Sequence, residues 1–184
     1  MNNDINSRLI LITGGQRSGK SRFAEKITLE LDPVSPVYIA TAEIHDDDFA
    51  QRVRTHQERR GPMWTNIEES ERPGEIAPEG RTVLLECVTL WTTKLFFKFE
   101  MDIEKAENEV MRQVELMISR PGNYIFVTNE IGLGGTSSNI VQRKFTDLLG
   151  SVNRRIAQLA DTVYMTVAGI PVCIKNNENN NGTF

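Results

Sequence analysis

The stretch from Arg8 to Leu31 sets a glycine-rich loop between two different hydrophobic periodicities. Arg8 to Thr13 (RLILIT) is a short apolar run, the pattern of a parallel strand buried on both faces. Lys20 to Leu31 follows with apolar residues at Phe23, Ala24, Ile27 and Leu31, the spacing of one helix face. Between them Gly14-Gly15-Gln16-Arg17-Ser18-Gly19-Lys20-Ser21 fits G-x-x-x-x-G-K-[ST]. Glycines let the backbone curl so that several N–H groups converge on phosphate oxygens. The following helix presents its positive N-terminal end to the same anion. Lys20 is then placed to neutralise charge between the β- and γ-phosphates of a nucleoside triphosphate, and the Ser21 hydroxyl to ligate Mg²⁺. The competing interpretation is a plain Gly-rich turn with an exposed lysine. It leaves the strand before the loop and the helix after it unexplained.

The rest of the chain continues the alternation. Pro36 to Thr41 (PVYIAT) reads as a second strand and Asp46 to Arg60 as a helix, with Asp46 to Asp48 suited to its N-terminus. Arg60 to Pro78 is rich in Gly, Pro and Glu and reads as a loop with little regular structure. Thr82 to Val88 is a third strand, followed by helices over Leu90 to Phe99 and Ile103 to Ser119. Tyr124 to Thr128 is a fourth strand, Gly132 to Ser138 a loop and Val141 to Leu159 a long helix. Thr162 to Val167 and Pro171 to Lys175 are two further strands. Only Ala168-Gly169-Ile170 joins them, so they pair antiparallel, because a parallel crossover needs about a dozen residues. This order gives an α/β fold with a mostly parallel sheet, helices on both faces and a C-terminal antiparallel hairpin strand.

At 184 residues the chain suits one domain, set at residues 1–175, with an Asn-rich, disordered tail over 176–184. A formal net charge of −4 argues against a uniform polyanion-binding surface, so phosphate-binding groups must be concentrated locally. That balance, with no aromatic-basic stripe, disfavours nucleic-acid binding. Met1 to Arg8 lacks the apolar stretch of a secretory signal, and no apolar run is long enough to span a bilayer. A cytoplasmic protein without membrane insertion is expected. Cys87 and Cys173 both fall in apolar strand-like runs and are expected as buried free thiols.

Three further groups carry potential chemistry. Glu86 ends the third strand, on the sheet edge where ligands bind in such folds. It suits either a Mg²⁺ ligand, direct or through water, or a partner of Lys20 or Arg17. Glu130 ends the fourth strand in the same way and suits either an acceptor-orienting or a structural role. On the helix from Asp46 to Arg60, the residues Arg52, His56 and Arg60 are spaced i, i+4, i+8, with Arg59 beside them. Neighbouring cations would keep the imidazole neutral, and so nucleophilic towards phosphorus. Spacing alone favours a solvated basic helix face.

Several segments occur together in one order: GGQRSGKS, YIATAEIHDDD, RVRTHQERRGPMW with Glu68 beyond it, LLECVT, VTNEIGLG and AGIPVCIK. In this they resemble the bifunctional adenosylcobinamide kinase/adenosylcobinamide-phosphate guanylyltransferase family, over about residues 8 to 175. The resemblance implies a RecA-like, three-layer P-loop domain assembled as a homotrimer. It implies phosphorylation of adenosylcobinamide with ATP or GTP. Transfer of GMP from GTP to the new phosphate, through a guanylylated histidine, then releases pyrophosphate. The histidine falls on His56, and Lys20 is the second catalytic residue. The family's nucleotide contacts fall on Gly14 to Ser21, on Ala40, Thr41 and Ala42, on Gln57, Glu58, Arg59 and Arg60, on Glu68 and on Glu86. His45 falls where the family commonly has an apolar residue. After Gly132-Leu133-Gly134 the family often has an apolar pair and then Pro-Glu-Asn; here Gly135-Thr136-Ser137-Ser138-Asn139 keeps only the Asn. Two other classes share the P-loop: a single-function kinase for another hydroxylated substrate, and a nucleotide-dependent binding module without group transfer.

Overall fold

The computed structural model describes residues 7–42 and 61–177. The expected helix over Asp46 to Arg60, with His45 and His56, lies outside the described residues.

Among the described residues, seven strands form one sheet. In chain order the elements are β1 (Ser7–Gly14), α1 (Lys20–Leu31), β2 (Val37–Ala40), β3 (Thr65–Glu68), α2 (Pro73–Ile76), β4 (Arg81–Glu86), α3 (Val88–Lys98), α4 (Ile103–Ile118), β5 (Gly122–Val127), a 3₁₀ turn (Gly132–Gly134), α5 (Ile140–Leu159), β6 (Thr162–Val167) and β7 (Ile170–Asn176). The sheet order is β3-β2-β4-β5-β1-β6-β7. Every pairing is parallel except β6 with β7. The hairpin follows from its connection, which is too short for a crossover.

Period-two alternation divides the core. Leu9, Leu11, Val83, Leu85, Tyr124 and Phe126 point to one face, where they meet Trp91, Leu95 and Phe96 of α3, Val110 and Val114 of α4, and Val152 and Ile156 of α5. Ile10, Ile12, Leu84, Ile125 and Val127 point to the other, against Ala24, Phe23 and Ile27 of α1. The three layers are thus α3–α4–α5, sheet, and α1. Interior strands buried on both faces explain why their sequences read as unbroken apolar runs.

Capping groups fix the ends of the elements. Asn139, the residue kept in the altered Gly135 loop, is the N-cap of α5 and accepts from the Val141 and Gln142 N–H groups at 2.8 and 3.1 Å. At the other end of α5, Lys175 Nζ donates to the carbonyls of Ala157, Gln158 and Ala160 at 3.0, 2.9 and 2.6 Å. A cation there satisfies orphan carbonyls and opposes the negative end of the helix dipole. It also ties β7 to α5.

Three expectations change. Arg60 to Pro78 is not an unstructured loop: β3 and α2 lie within it. β3 reads TNIE, a four-residue edge strand exposed at three positions, so it lacks the apolar signature of its neighbours. Cys87 is buried but Cys173 is exposed, and both are free thiols. β7 is an edge strand, so apolar composition did not bring burial. β7 also runs to Asn176, one residue beyond the expected strand end at Lys175.

Gly14 has φ +144°, and a Cβ there would stand 2.4 Å from the Thr166 carbonyl oxygen, whereas one on Gly15 would meet nothing within 4 Å. Gly14→Ala should therefore destabilise the fold by roughly 3 kcal/mol, and Gly15→Ala by less than about 0.5 kcal/mol. Denaturant unfolding of the two variants beside the parent checks this.

Candidate active site

The glycine-rich loop lies at the C-terminal edge of β1, where the connection from β1 crosses to β2 on one side of the sheet and that from β5 crosses to β6 on the other. In open α/β sheets this is the crevice that takes ligands. The loop is held from below by β6. Ser18 Oγ and Thr166 Oγ1 are 2.7 Å apart, and Thr166 Oγ1 donates to the Thr13 carbonyl at 3.2 Å. Gly169 N, in the β6–β7 turn, donates to the Ser18 carbonyl at 3.0 Å. Gly19 takes φ +95° at the N-cap of α1, and the Gly169 Cα lies 3.3 Å from where its Cβ would be. The loop is thus clamped between α1 and a turn distant in sequence, and within it Ser18 N donates to the Gly15 carbonyl at 3.3 Å.

Lys20 and Ser21 open α1. Lys20 is buried, and its Nζ donates to the Gly15 carbonyl at 2.6 Å. Burial pushes the ammonium below its ordinary value, and the nearby Glu86 carboxylate opposes that shift. An anion in the loop would favour the charged form, so phosphate binding and Lys20 protonation reinforce each other. Ser21 Oγ donates to Glu86 Oε1, and Tyr38 OH donates to Glu86 Oε2 at 3.3 Å. Of the two partners expected for Glu86, the structure shows neither Lys20 nor Arg17 in an ion pair with it; the carboxylate faces Ser21.

The end of β4 is fixed by Thr41. Its N–H donates to the Glu86 carbonyl at 3.0 Å. Its hydroxyl donates to the Cys87 carbonyl at 2.8 Å and accepts from Cys87 N at 2.7 Å. Strand register puts Ala40 level with both Glu86 and Glu68. Four of the expected contact positions, Ala40, Thr41, Glu68 and Glu86, therefore share one end of the sheet with the loop, and half-buried Ala42 follows directly. Gln57, Glu58, Arg59 and Arg60 lie outside the described residues, as does His56. The buried Cys87 thiol is raised to about 11, chiefly by burial, which favours its neutral form near neutral pH.

Glu130 Oε1 accepts from Gly132 N at 2.8 Å, which favours the structural of its two roles. Sequence reasoning missed the buried network behind it. Thr128 Oγ1 donates to Asn153 Oδ1 at 2.7 Å, Asn153 Nδ2 donates to the Asn129 carbonyl at 3.1 Å, and Asn129 N donates to Thr89 Oγ1 at 2.8 Å. The available signal was the polar pair Thr128-Asn129 directly after an apolar strand.

No cluster of three or more His, Cys, Asp or Glu side chains exists among the described residues, so a site caged by protein ligands is not offered there. A hydroxyl and a carboxylate in direct contact suit Mg²⁺, which takes oxygen ligands, keeps several waters and relies on substrate phosphates for the rest. The Ser21–Glu86 pair beside the loop fits that ion.

A clamped phosphate loop, a buried lysine and a Ser–Glu pair on a mostly parallel RecA-like sheet define a P-loop nucleotide-dependent enzyme. Residues 10–174 match the family model described as cobinamide kinase / cobinamide phosphate guanyltransferase. The chain belongs to this bifunctional kinase and guanylyltransferase family. It is 36% identical over 183 residues to the bifunctional adenosylcobalamin biosynthesis protein CobU of Salmonella typhimurium, covering 91% of this chain and 99% of that protein. It is also 36% identical over 169 residues to the corresponding protein CobP of Pseudomonas aeruginosa, covering 90% of this chain and 96% of that one. Among solved structures, a KaiC-like protein from Pyrococcus horikoshii shares the fold, with a TM-score of 0.50 at 10% identity, over 96% of this chain and 82% of that chain. No helix among the described residues is long and apolar enough to cross a membrane.

Thr41→Val removes both hydroxyl bonds and leaves Cys87 N unpaired, whereas Thr41→Ser keeps them. Thr41→Val should lose about 1–3 kcal/mol of stability and require more Mg²⁺ for half-maximal turnover, and Thr41→Ser should restore both. Thermal melts and Mg²⁺ titrations of activity measure the pair.

Proposed function

We propose that this chain phosphorylates the aminopropanol hydroxyl of adenosylcobinamide with ATP or GTP and then transfers GMP from GTP to the new phosphate. The products would be adenosylcobinamide-GDP and pyrophosphate, within assembly of the cobalamin nucleotide loop. The observation that carries this is the convergence of Lys20, Ser21 and Glu86 around the clamped loop, in a chain of this family. Residues 1–175 would form one cytoplasmic domain that performs both steps, with no membrane insertion and no nucleic-acid partner.

In the kinase step the loop N–H groups of Gly14 to Ser21 and the Lys20 ammonium would hold the triphosphate. Ser21 and Glu86 would hold Mg²⁺, which when bound supplies charge neutralisation at the phosphate oxygens. The acceptor hydroxyl attacks the γ-phosphorus in line, its proton passes to solvent, and the nucleoside diphosphate leaves. Positioning and charge stabilisation by these residues supply most of the acceleration. Ala40, Thr41, Ala42 and Glu68 line the same sheet edge and would border the nucleotide, Thr41 chiefly through its hold on β4.

In the transferase step a neutral His56 nitrogen would attack the α-phosphorus of GTP. A P–N bond forms, the bond to the β-phosphate bridging oxygen breaks, and pyrophosphate leaves. A phosphate oxygen of adenosylcobinamide phosphate then attacks the same phosphorus and the P–N bond breaks, returning His56. Gln57, Glu58, Arg59 and Arg60 would border this nucleotide, with the arginines offsetting triphosphate charge. Splitting one displacement into two is the logic of covalent catalysis.

The homotrimer that accompanies the reading needs a contact surface. On β7, Ile170, Val172 and Ile174 are 65, 48 and 59% exposed. An edge strand with open backbone groups and β-branched apolar side chains invites pairing, and we assign this strand to contact with a second copy. Light scattering should give wild type close to three times 20.8 kDa and Val172→Asp/Ile174→Asp a smaller mass. A monomeric wild type removes the trimer, and a variant of unchanged mass removes β7 as its contact.

GTP labelled at the α- or, separately, the γ-phosphorus tests the chemistry. With Mg²⁺ and no acceptor, denatured protein should keep acid-labile label from the α position only. His56→Ala should lose that label and guanylyl transfer but keep the kinase, and Lys20→Ala should slow both steps by at least about 100-fold. Equal loss of both activities in His56→Ala would make His56 structural. No retained label in a protein that binds GTP would favour a single-function kinase or a binding module.

A further inference from the structure

A cavity of about 510 Å³ opens beside the site, on the face of the sheet opposite α1. One wall is α3, which contributes Leu90, Thr93, Lys94, Phe97 and Lys98. Their spacing, i, i+3, i+4, i+7 and i+8, is a single helix face. The opposite face of α3 is already spent on the core through Trp91, Leu95 and Phe96. The cavity face is therefore not needed for folding, yet it carries Phe97 at 58% exposure and Leu90 at 36%.

The cavity is preformed. Its other wall is Glu71. The Trp91 indole donates to the Glu71 carbonyl at 3.1 Å, and Lys98 Nζ donates to the Glu71 carboxylate, so the two walls are tied together. The cavity is also joined to the chemistry. Thr41 lines it and makes its paired hydrogen bonds to Cys87, the residue after Glu86. The triphosphate loop and Lys20 belong to the α1 side of that same sheet edge. Two substrates could thus approach the edge from opposite faces.

We propose that this cavity is the acceptor subsite, where the apolar face of the cobinamide macrocycle packs on Leu90 and Phe97 while lysines at the rim donate to its peripheral amide carbonyls. The inference rests on the proposed function and adds the place where the acceptor binds. Volume and chemistry both fit. A cavity of this size lies within the range of small-molecule sites, and sites of that kind pair an apolar lining with a few polar groups that fix orientation. The cavity is smaller than a whole corrinoid, so it grips one edge of the ring and leaves the aminopropanol arm to reach the phosphate.

Phe97→Ala and Lys94→Gln test the assignment, with thermal melts to confirm folding. Kinase rates are measured against cobinamide at saturating ATP, and against ATP at saturating cobinamide. Quenching of tryptophan emission by cobinamide gives binding independently of turnover. The expected result for Phe97→Ala is a rise of about tenfold in both the KM and the quenching midpoint for cobinamide. The KM for ATP and the α-label retained from GTP without acceptor should be unchanged. Normal cobinamide values, or a rise in the KM for ATP alone, overturn the subsite. A wild-type protein that leaves cobinamide unphosphorylated overturns the proposed function instead, and the subsite with it.

Discussion

The contact between Gly14 and Thr166 sets the geometry on which the site depends. Gly14 ends β1, and its backbone runs so close to β6 that the Thr166 carbonyl occupies the space of a side chain. That approach lets Thr166 Oγ1 reach Ser18, and lets the β6–β7 turn reach the Ser18 carbonyl through Gly169. A phosphate loop must point several N–H groups inward at once, and an unsupported glycine-rich loop would lose entropy on doing so. Here the ordering is supplied by the fold. β6 and β7 therefore have a functional role although no group on them takes part in the proposed chemistry.

A second constraint operates at the other end of the edge. Glu86 must stand at the height of Ser21, and β4 is not adjacent to β1: β5 lies between them. Position is transmitted across strands by register, Glu86 with Val127 and Val127 with Ile12. On the outer side Thr41 pins Glu86 and Cys87 from β2. Rigid strands carry the distance, and short polar side chains set the last ångström.

How much of this was legible depended on whether the information was local. β1, α1, α4, α5 and β6 each carry their own periodicity, and their limits in the structure agree with the sequence to within one or two residues. The antiparallel hairpin followed from a linker too short for any other connection. β3 did not carry a local signal, because an exposed edge strand of sequence TNIE owes its conformation to pairing with β2. Cys173 lay in an apolar run, but whether a strand is covered depends on what packs over it. The partners of Glu86, the grip of Thr41 on Cys87 and the Thr128–Asn153 bond join residues far apart in the chain, and no spacing rule reaches them. His56 was singled out only through resemblance, since the Arg52-His56-Arg60 spacing alone favours a solvated helix face.

The bonds within the site also bear on how it can work. Lys20 is paired with the Gly15 carbonyl and Ser21 with Glu86, so the groups that would receive phosphate and metal already satisfy one another. Leaving them unpaired would be costly, since a desolvated ammonium or carboxylate without a partner is unfavourable by several kcal/mol or more. Substrate binding must then be an exchange. Lys20 would trade a neutral carbonyl for phosphate oxygens, and Ser21 would trade its carboxylate for a cation that Glu86 could share. The exchange would replace hydrogen bonds with one charged partner by contacts between opposite charges, Lys20 with phosphate and Glu86 with the cation, so it would favour a ligand that brings phosphate and metal together. A phosphate without the cation would leave Glu86 facing a like charge. On the proposed function, the pairing would therefore select for the metal-bound nucleotide before any base or acceptor is recognised.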